Sequence, residues 1–195
     1  MKVLLVNGSP HSNGSTYTAL SVIAEELSSY GVESEIINLG IKPISGCMAC
    51  YKCRETNAKK CIIDDIVNEF IEKAKDADGF VFGSPVYFAG ASGQITSFLN
   101  RVFYCGRDYL AYKPAFSVVC GRRCGHSSTY DQLNKYIGFN NMLQVPSKYW
   151  NVLIGRSREE ILNDSEGLEI IKHLSRNMVW MLNMLDNAKK NGIER

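Results

Sequence analysis

Two groups of residues in this 195-residue chain have the types and spacing of chemistry. The first is Asn7-Gly8-Ser9-Pro10-His11-Ser12-Asn13-Gly14-Ser15-Thr16, delivered by the apolar run Val3-Leu4-Leu5-Val6 and followed by Ala19, Leu20, Ile23, Ala24 and Leu27 at helical spacing. A strand that hands a Gly- and hydroxyl-rich turn to a helix N-terminus makes a phosphate cradle, because unpaired backbone N–H groups and the positive end of the helix dipole converge there. Gly8 and Gly14 do not form the G-x-G-x-x-G of a dinucleotide fold, and Ser15 stands where a nucleotide triphosphatase loop carries Lys. The turn holds no cysteine, which argues against a phosphatase nucleophile. Hydroxyls and amides without a lysine suit one terminal phosphomonoester held as a dianion, and flavin mononucleotide (FMN) is the commonest such ligand on a doubly wound fold. An ordinary turn capped by Ser and Asn is the plain alternative.

The second group is Cys47, Cys50, Cys53 and Cys61, separated by two, two and seven residues. Three thiolates at that spacing wrap one face of a four-iron cubane, and a fourth a few residues later closes it. Structural zinc on four thiolates and a metal-free loop of free thiols are the competing readings. Cys105, Cys120 and Cys124 have no ligand spacing; Cys120 ends an apolar run and reads as a small buried hydrophobe, whereas Cys124 sits in a loop where a reactive thiol is an alternative. Seven cysteines are an odd number in a chain that opens without an export-signal pattern, so metal or redox chemistry is expected before a disulfide framework.

The elements that must position these residues follow from periodicity. After the first helix, stopped at Gly31, Val32 to Leu39 reads as a second strand. Residues 40 to 62 are irregular, and Asp64-Asp65 cap a helix with the stripe Ile66, Val67, Phe70, Ile71 and Ala74. Gly79 to Gly83 is a third strand, ending in the loop Ser84 to Gly90, and a helix from about Ser92 to Phe103 follows. Ala115 to Cys120 is a fourth strand, ending in the loop Gly121 to His126 with a helix behind it. Met142 to Val145 supplies a fifth, with Val152 to Ile154 as a further contributor, and the stripe from Leu168 to Leu185 lines a long closing helix. Strands alternating with helices imply a five-stranded, doubly wound parallel sheet wrapped on both faces, with ligands at the carboxyl ends of its strands.

Three loops therefore share one edge. Pro85, Val86, Tyr87 and Phe88 offer a rigid, partly aromatic wall, and Gly90 and Gly93 let backbone approach a flat ring. Gly121 and Arg122 or Arg123 can bring N–H groups and charge to a ring carbonyl or a second substrate. Ordinary core packing of Tyr87 and Phe88, and a solvated basic turn at Arg122 and Arg123, are the corresponding plain readings. Length and a 45% hydrophobic content fit one domain over residues 1–195 with a cysteine-rich loop at about 45–62. The formal charge of +2, with both signs interspersed, excludes a nucleic-acid footprint. No run approaches the roughly 18 apolar residues of a membrane span, so a cytoplasmic protein is expected.

Taken together, the opening Gly8-Ser9-Pro10 to Thr16, Gly46-Cys47 to Asp65, Ser84-Pro85-Val86-Tyr87-Phe88 to Arg101, Tyr149-Trp150-Asn151, and the closing Glu166-Gly167-Leu168 to Arg176-Asn177-Met178 segment resemble the NADPH-dependent FMN reductase and iron–sulfur flavoprotein group of flavodoxin-like proteins. The resemblance implies an FMN phosphate on Ser9, Asn13, Gly14, Ser15 and Thr16; His11 stands where such proteins often have Arg. It also implies that Pro85, Val86, Tyr87, Phe88, Gly121 and Arg122 flank the isoalloxazine ring, and that the protein works as a homodimer or homotetramer. No side chain is an obligatory acid or base, because the flavin carries the chemistry. The expected activity is an FMN-dependent oxidoreductase taking hydride from NAD(P)H and reducing a quinone, flavin or similar small-molecule acceptor. An electron carrier exchanging electrons with ferredoxin through a 4Fe-4S cluster on Cys47, Cys50, Cys53 and Cys61, and a non-enzymatic thiol redox-sensing module, are the alternatives.

Overall fold

The computed structural model describes residues 1–56 and 58–193. Asn57, inside the cysteine-rich segment, and the last two positions of the chain lie outside the described residues. The apolar runs 3–6, 80–82 and 115–120 become strands buried on both sides, while the strands at the sheet edges stay partly exposed. β1 (Lys2–Asn7) pairs in parallel with β2 (Glu33–Asn38) and with β3 (Gly79–Tyr87), and β3 pairs in parallel with β5 (Pro114–Gly121). The fifth position is divided between β6 (Leu143–Gln144), beside the start of β5, and β7 (Val152–Ile154), beside its end. The order is β2-β1-β3-β5-β6, with the reversal at β1 and β3 that opens a ligand crevice at the strand ends.

Alternation along each strand sorts the core into two layers. Leu4, Val6, Phe80 and Phe82 face α3 (Ile66–Ala74), α4 (Gly93–Cys105) and α5 (His126–Phe139) through Phe70, Phe98, Leu99 and Leu133. Val3, Leu5, Val81, Phe116 and Val118 face α1 (Ser15–Ser29), α6 (Arg158–Asn163) and α7 (Ser165–Lys190) through Leu20, Ile23, Ile161, Ile171 and Leu174. Gly31 takes φ +74° after α1, the left-handed stop expected of it. Among the described residues no helix is long and apolar enough to cross a membrane.

One expectation is corrected. β3 does not end at Gly83 but continues to Tyr87 and turns back as β4 (Gly90–Ala91), with Val86 opposite Ala91 and Tyr87 opposite Gly90. Phe88 and Ala89 supply the two positive φ angles, 50° and 59°, of a two-residue hairpin. Neither is the Asn or Gly that announces such a turn, and the strand direction beyond Pro85 is set by pairing instead. Within the cysteine-rich segment a short helix, α2 (Lys52–Glu55), is the regular structure formed; Ala49, Tyr51 and Lys59 there have φ of 52°, 59° and 48°.

Candidate functional site

Asn7 closes β1 and fixes the turn that follows. It is fully buried, its Oδ1 accepts the Ser9 N–H at 3.1 Å, and its Nδ2 donates to His11 O at 3.1 Å and to Asn38 Oδ1 at 2.8 Å. Ser9 Oγ in turn accepts the His11 N–H at 3.2 Å. Gly8 is obligatory by space: a Cβ there would lie 2.7 Å from Ile95 Cβ and 2.8 Å from Gly83 O. The Gly8 carbonyl accepts the Ser92 hydroxyl at 2.5 Å, which ties the turn to the start of α4.

The turn delivers the chain to α1 with its first amides free. Asp65, Ser92, Ser157 and Asp164 each cap their helix by accepting a first-turn N–H, whereas α1 at Gly14, like α5 at Gly125 and α2 at Tyr51, begins with no side-chain cap. Thr16 in that first turn is 1% exposed, and its hydroxyl has no hydrogen-bond partner. Burial pushes the neighbouring Cys120 thiol up to about 12, against a smaller opposing pull from the Thr16 hydroxyl, and a neutral sulfur is at most a weak acceptor for that hydroxyl. A buried orphan hydroxyl costs roughly 1–3 kcal/mol. Together with uncapped amides at the positive end of a helix dipole, it fits an anion that completes the cradle.

The cradle is one wall of a hollow of about 290 Å³ lined by Ser9, His11, Gly14, Ser15, Thr16, Pro85, Val86, Tyr87, Cys120, Gly121, Arg122, Gly155 and Arg156. The ends of β1, β3 and β5 thus meet, as their parallel order requires. Asn13 and Phe88 are not among the lining residues; Phe88, at the tip of the hairpin, stands fully in solvent. Gly155 and Arg156, beyond β7, were not legible as site residues. They are brought in by Gly155 N–H donating to Gly121 O at 2.9 Å, a carbonyl that His126 Nε2 also approaches at 3.1 Å. Arg156 pairs with Glu160 at 2.8 Å on the rim.

The cysteine segment forms a second centre. Cys47, Cys50, Cys53 and Cys61 line one hollow of about 20 Å³ together with Met48, Tyr51, Arg101, Tyr104 and Cys105. Burial, then the charges of Cys61, Cys50 and Cys47, raise the Cys53 thiol above its ordinary value, and burial pushes Cys105 up to about 12. All seven cysteines are free thiols. Among the described residues no three Cys, His, Asp or Glu side chains stand close enough to share one metal ion. That arrangement is not a preformed tetrahedral zinc site. A cubane, which takes one thiolate at each iron, fits the donor set, and the present hollow is the size of a single water, so the loop would have to open outward to admit it.

Comparison with known proteins agrees with this geometry. Residues 1–155 match the sequence profile of a family described as NADPH-dependent FMN reductase. An iron–sulfur flavoprotein of Methanocaldococcus jannaschii is 31% identical over 199 residues, covering 95% of this chain and 99% of that protein. Among solved structures, RosB with a bound 8-demethyl-8-formylriboflavin-5′-phosphate intermediate superimposes with a TM-score of 0.74 at 16% identity, over 96% of this chain and 81% of that one. A flavodoxin from the domain Archaea gives 0.64 at 12% identity, over 94% and 99% of the two chains. At those identities the structures show the fold, which is flavodoxin-like.

Proposed function

Because the chain belongs to the NADPH-dependent FMN reductase family and is an FMN-dependent oxidoreductase, we propose that its flavin is held in the hollow where β1, β3, β5 and β7 end. The observation that carries this placement is the buried, unpartnered Thr16 hydroxyl above the uncapped start of α1. Thr16, Ser15 and the first-turn amides hold the phosphate as a dianion, and Ser9 and Asn7 keep the turn in shape around it. Pro85 to Tyr87 form one wall of the ring site, and the Gly121 backbone forms the other. Arg122 and Arg156 bring positive charge to the rim, which suits a second anionic molecule such as NAD(P)H arriving from solvent. FMN bound there supplies hydride and one-electron chemistry. The chain's own residues bind it, exclude water from one side and set the local field. The acceptor is a small oxidised molecule such as a quinone or a free flavin.

The test is flavin content after anaerobic purification of a Ser9→Ala, Thr16→Ala double variant, which is expected to lose most of its FMN during washing. Full retention of FMN by that variant would place the phosphate elsewhere.

A second reading adds to the first. Four thiols around one hollow, in a chain 31% identical to an iron–sulfur flavoprotein, favour a four-iron cluster held by Cys47, Cys50, Cys53 and Cys61. With it, the protein exchanges single electrons with a carrier such as ferredoxin, acting as a homodimer or homotetramer in the cytoplasm. Iron and sulfide analysis of protein reconstituted without oxygen tests this reading, and flavin-loaded protein that takes up no iron would end it.

A further inference from the structure

Arg101 lies on α4 between Phe98, Leu99 and Val102, at the face packed into the core, and is 1% exposed. A guanidinium in such a place must find acceptors for five N–H groups or lose more than its burial returns. It finds them all in one stretch of chain. Nε donates to Cys61 Sγ at 3.2 Å, Nη1 to Asp65 Oδ2 at 2.6 Å and to Ser45 O at 3.4 Å, and Nη2 to Ile63 O at 2.8 Å and to Asp65 Oδ1 at 2.9 Å. Every partner lies in residues 45–65, on both sides of the cysteines. The fork onto Asp65 balances the charge and, since Asp65 Oδ1 also caps α3 through Val67 N–H at 3.0 Å, anchors the guanidinium to a second helix.

The four thiols are therefore not held alike. Cys61 is fixed at its sulfur by Arg101, at its N–H by Asn68 Oδ1 at 2.8 Å and at its carbonyl by Asn68 Nδ2 at 3.0 Å. Residues 46–50, which carry Cys47 and Cys50, make no hydrogen bond among the described residues. A loop built to be uniformly firm would not divide its bonds this way. We propose that Arg101 is the positioning residue of the cysteine centre. It presets the Cys61 sulfur as the first ligand and holds both ends of the segment, so that the unbonded limb bearing Cys47 and Cys50 can swing outward to admit a cluster seated on Cys61 and then ligate it. Its N–H to a ligating sulfur also favours the reduced, more negative cluster. This inference rests on the cluster reading above.

The test compares wild-type protein with Arg101→Lys, which keeps the charge but not the fork, after reconstitution of both with ferrous iron and sulfide. FMN content should be the same in the two proteins. Iron should pass to a ferrous chelator about 10- to 100-fold faster from the variant, the range typical of lost outer-shell contacts, and its cluster midpoint potential should be more negative. A wild-type protein that binds FMN but no iron overturns the cluster reading itself, whereas equal iron release and equal potentials overturn only the role of Arg101. Should Arg101→Lys lose FMN as well, the folded wild type labelled with 15N-arginine decides. A magnetic coupling between the reduced cluster and a guanidinium nitrogen supports the contact, and its absence overturns it.

Discussion

Thr16→Val is expected to move stability and flavin affinity in opposite directions. The two side chains have nearly the same shape and the same β-branching, so the exchange replaces one buried oxygen by a methyl group. In flavin-free protein that oxygen has no partner, and removing it relieves a desolvation cost of roughly 1–3 kcal/mol. Unfolding of a chain of this length shifts by about 2–4 °C per kcal/mol, so the flavin-free variant should melt several degrees higher than wild type. With FMN present, the same oxygen donates to a phosphate dianion. A hydrogen bond to a charged group contributes about 1.5–3 kcal/mol, and its loss should raise the FMN dissociation constant roughly 10- to 150-fold. The assay is thermal unfolding of deflavinated protein alongside titration of flavin fluorescence. A variant that melts lower without FMN and binds it as tightly as wild type would refute the assignment of this hydroxyl to the phosphate.

Three other perturbations test the wall of the hollow, the cysteine segment and an ion pair that lines neither. Tyr87 is half-exposed on the hollow, so Tyr87→Ala should cost less than about 1 kcal/mol of stability while shifting the flavin absorption spectrum; a large drop in melting temperature with an unaltered spectrum would make Tyr87 a packing residue. Cys50→Ser should abolish iron loading and leave flavin content unchanged, because the two centres share no lining residue; loss of both together would argue against separate sites. Glu35 accepts from Lys73 and, at 2.9 Å, from Lys2, and these bonds hold its carboxylate below the usual range. Its folded pKa being depressed, the contribution is present above the unfolded value of about 4.3 and is lost as pH falls through the folded one. At this partly exposed position Glu35→Gln should cost about 0.2–1 kcal/mol at pH 7 and nothing measurable at pH 2, and an equal gap at both pH values would contradict the ion-pair account.

The parallel sheet, both helical layers and the strand–turn–helix at the start of the chain were readable from the order of apolar runs and turns, because each element is specified by residues close in sequence. What escaped depends on pairings between distant residues. Asn7 reads as the polar end of a strand, and its role as the staple of the turn appears only with Asn38 placed beside it by strand pairing. Gly155 and Arg156 have no spacing relation to the cradle and reach the hollow only because β7 docks on the end of β5. The hairpin tip at Phe88 and Ala89 lacks any turn signal, so an aromatic residue expected against a ring points instead into solvent. In the sequence, Arg101 stands only as the end of a segment resembling the family, with no role of its own. The signal available was its i+3 relation to Phe98, which places it on the buried face.

Helix α4 works as a ruler between the two centres. Its cap, Ser92, grips the Gly8 carbonyl in the cradle turn, and nine residues later Arg101 grips the cysteine segment, a separation of about 14 Å along a helix axis at 1.5 Å per residue. Such a rod fixes angle as well as length. One inserted residue between the two grips would turn Arg101 by about 100° away from Cys61 while leaving Ser92 in place. Substitutions can accumulate along the outer face of α4, but its residue count is constrained from both ends, and the spacing of the cradle from the cysteines cannot drift.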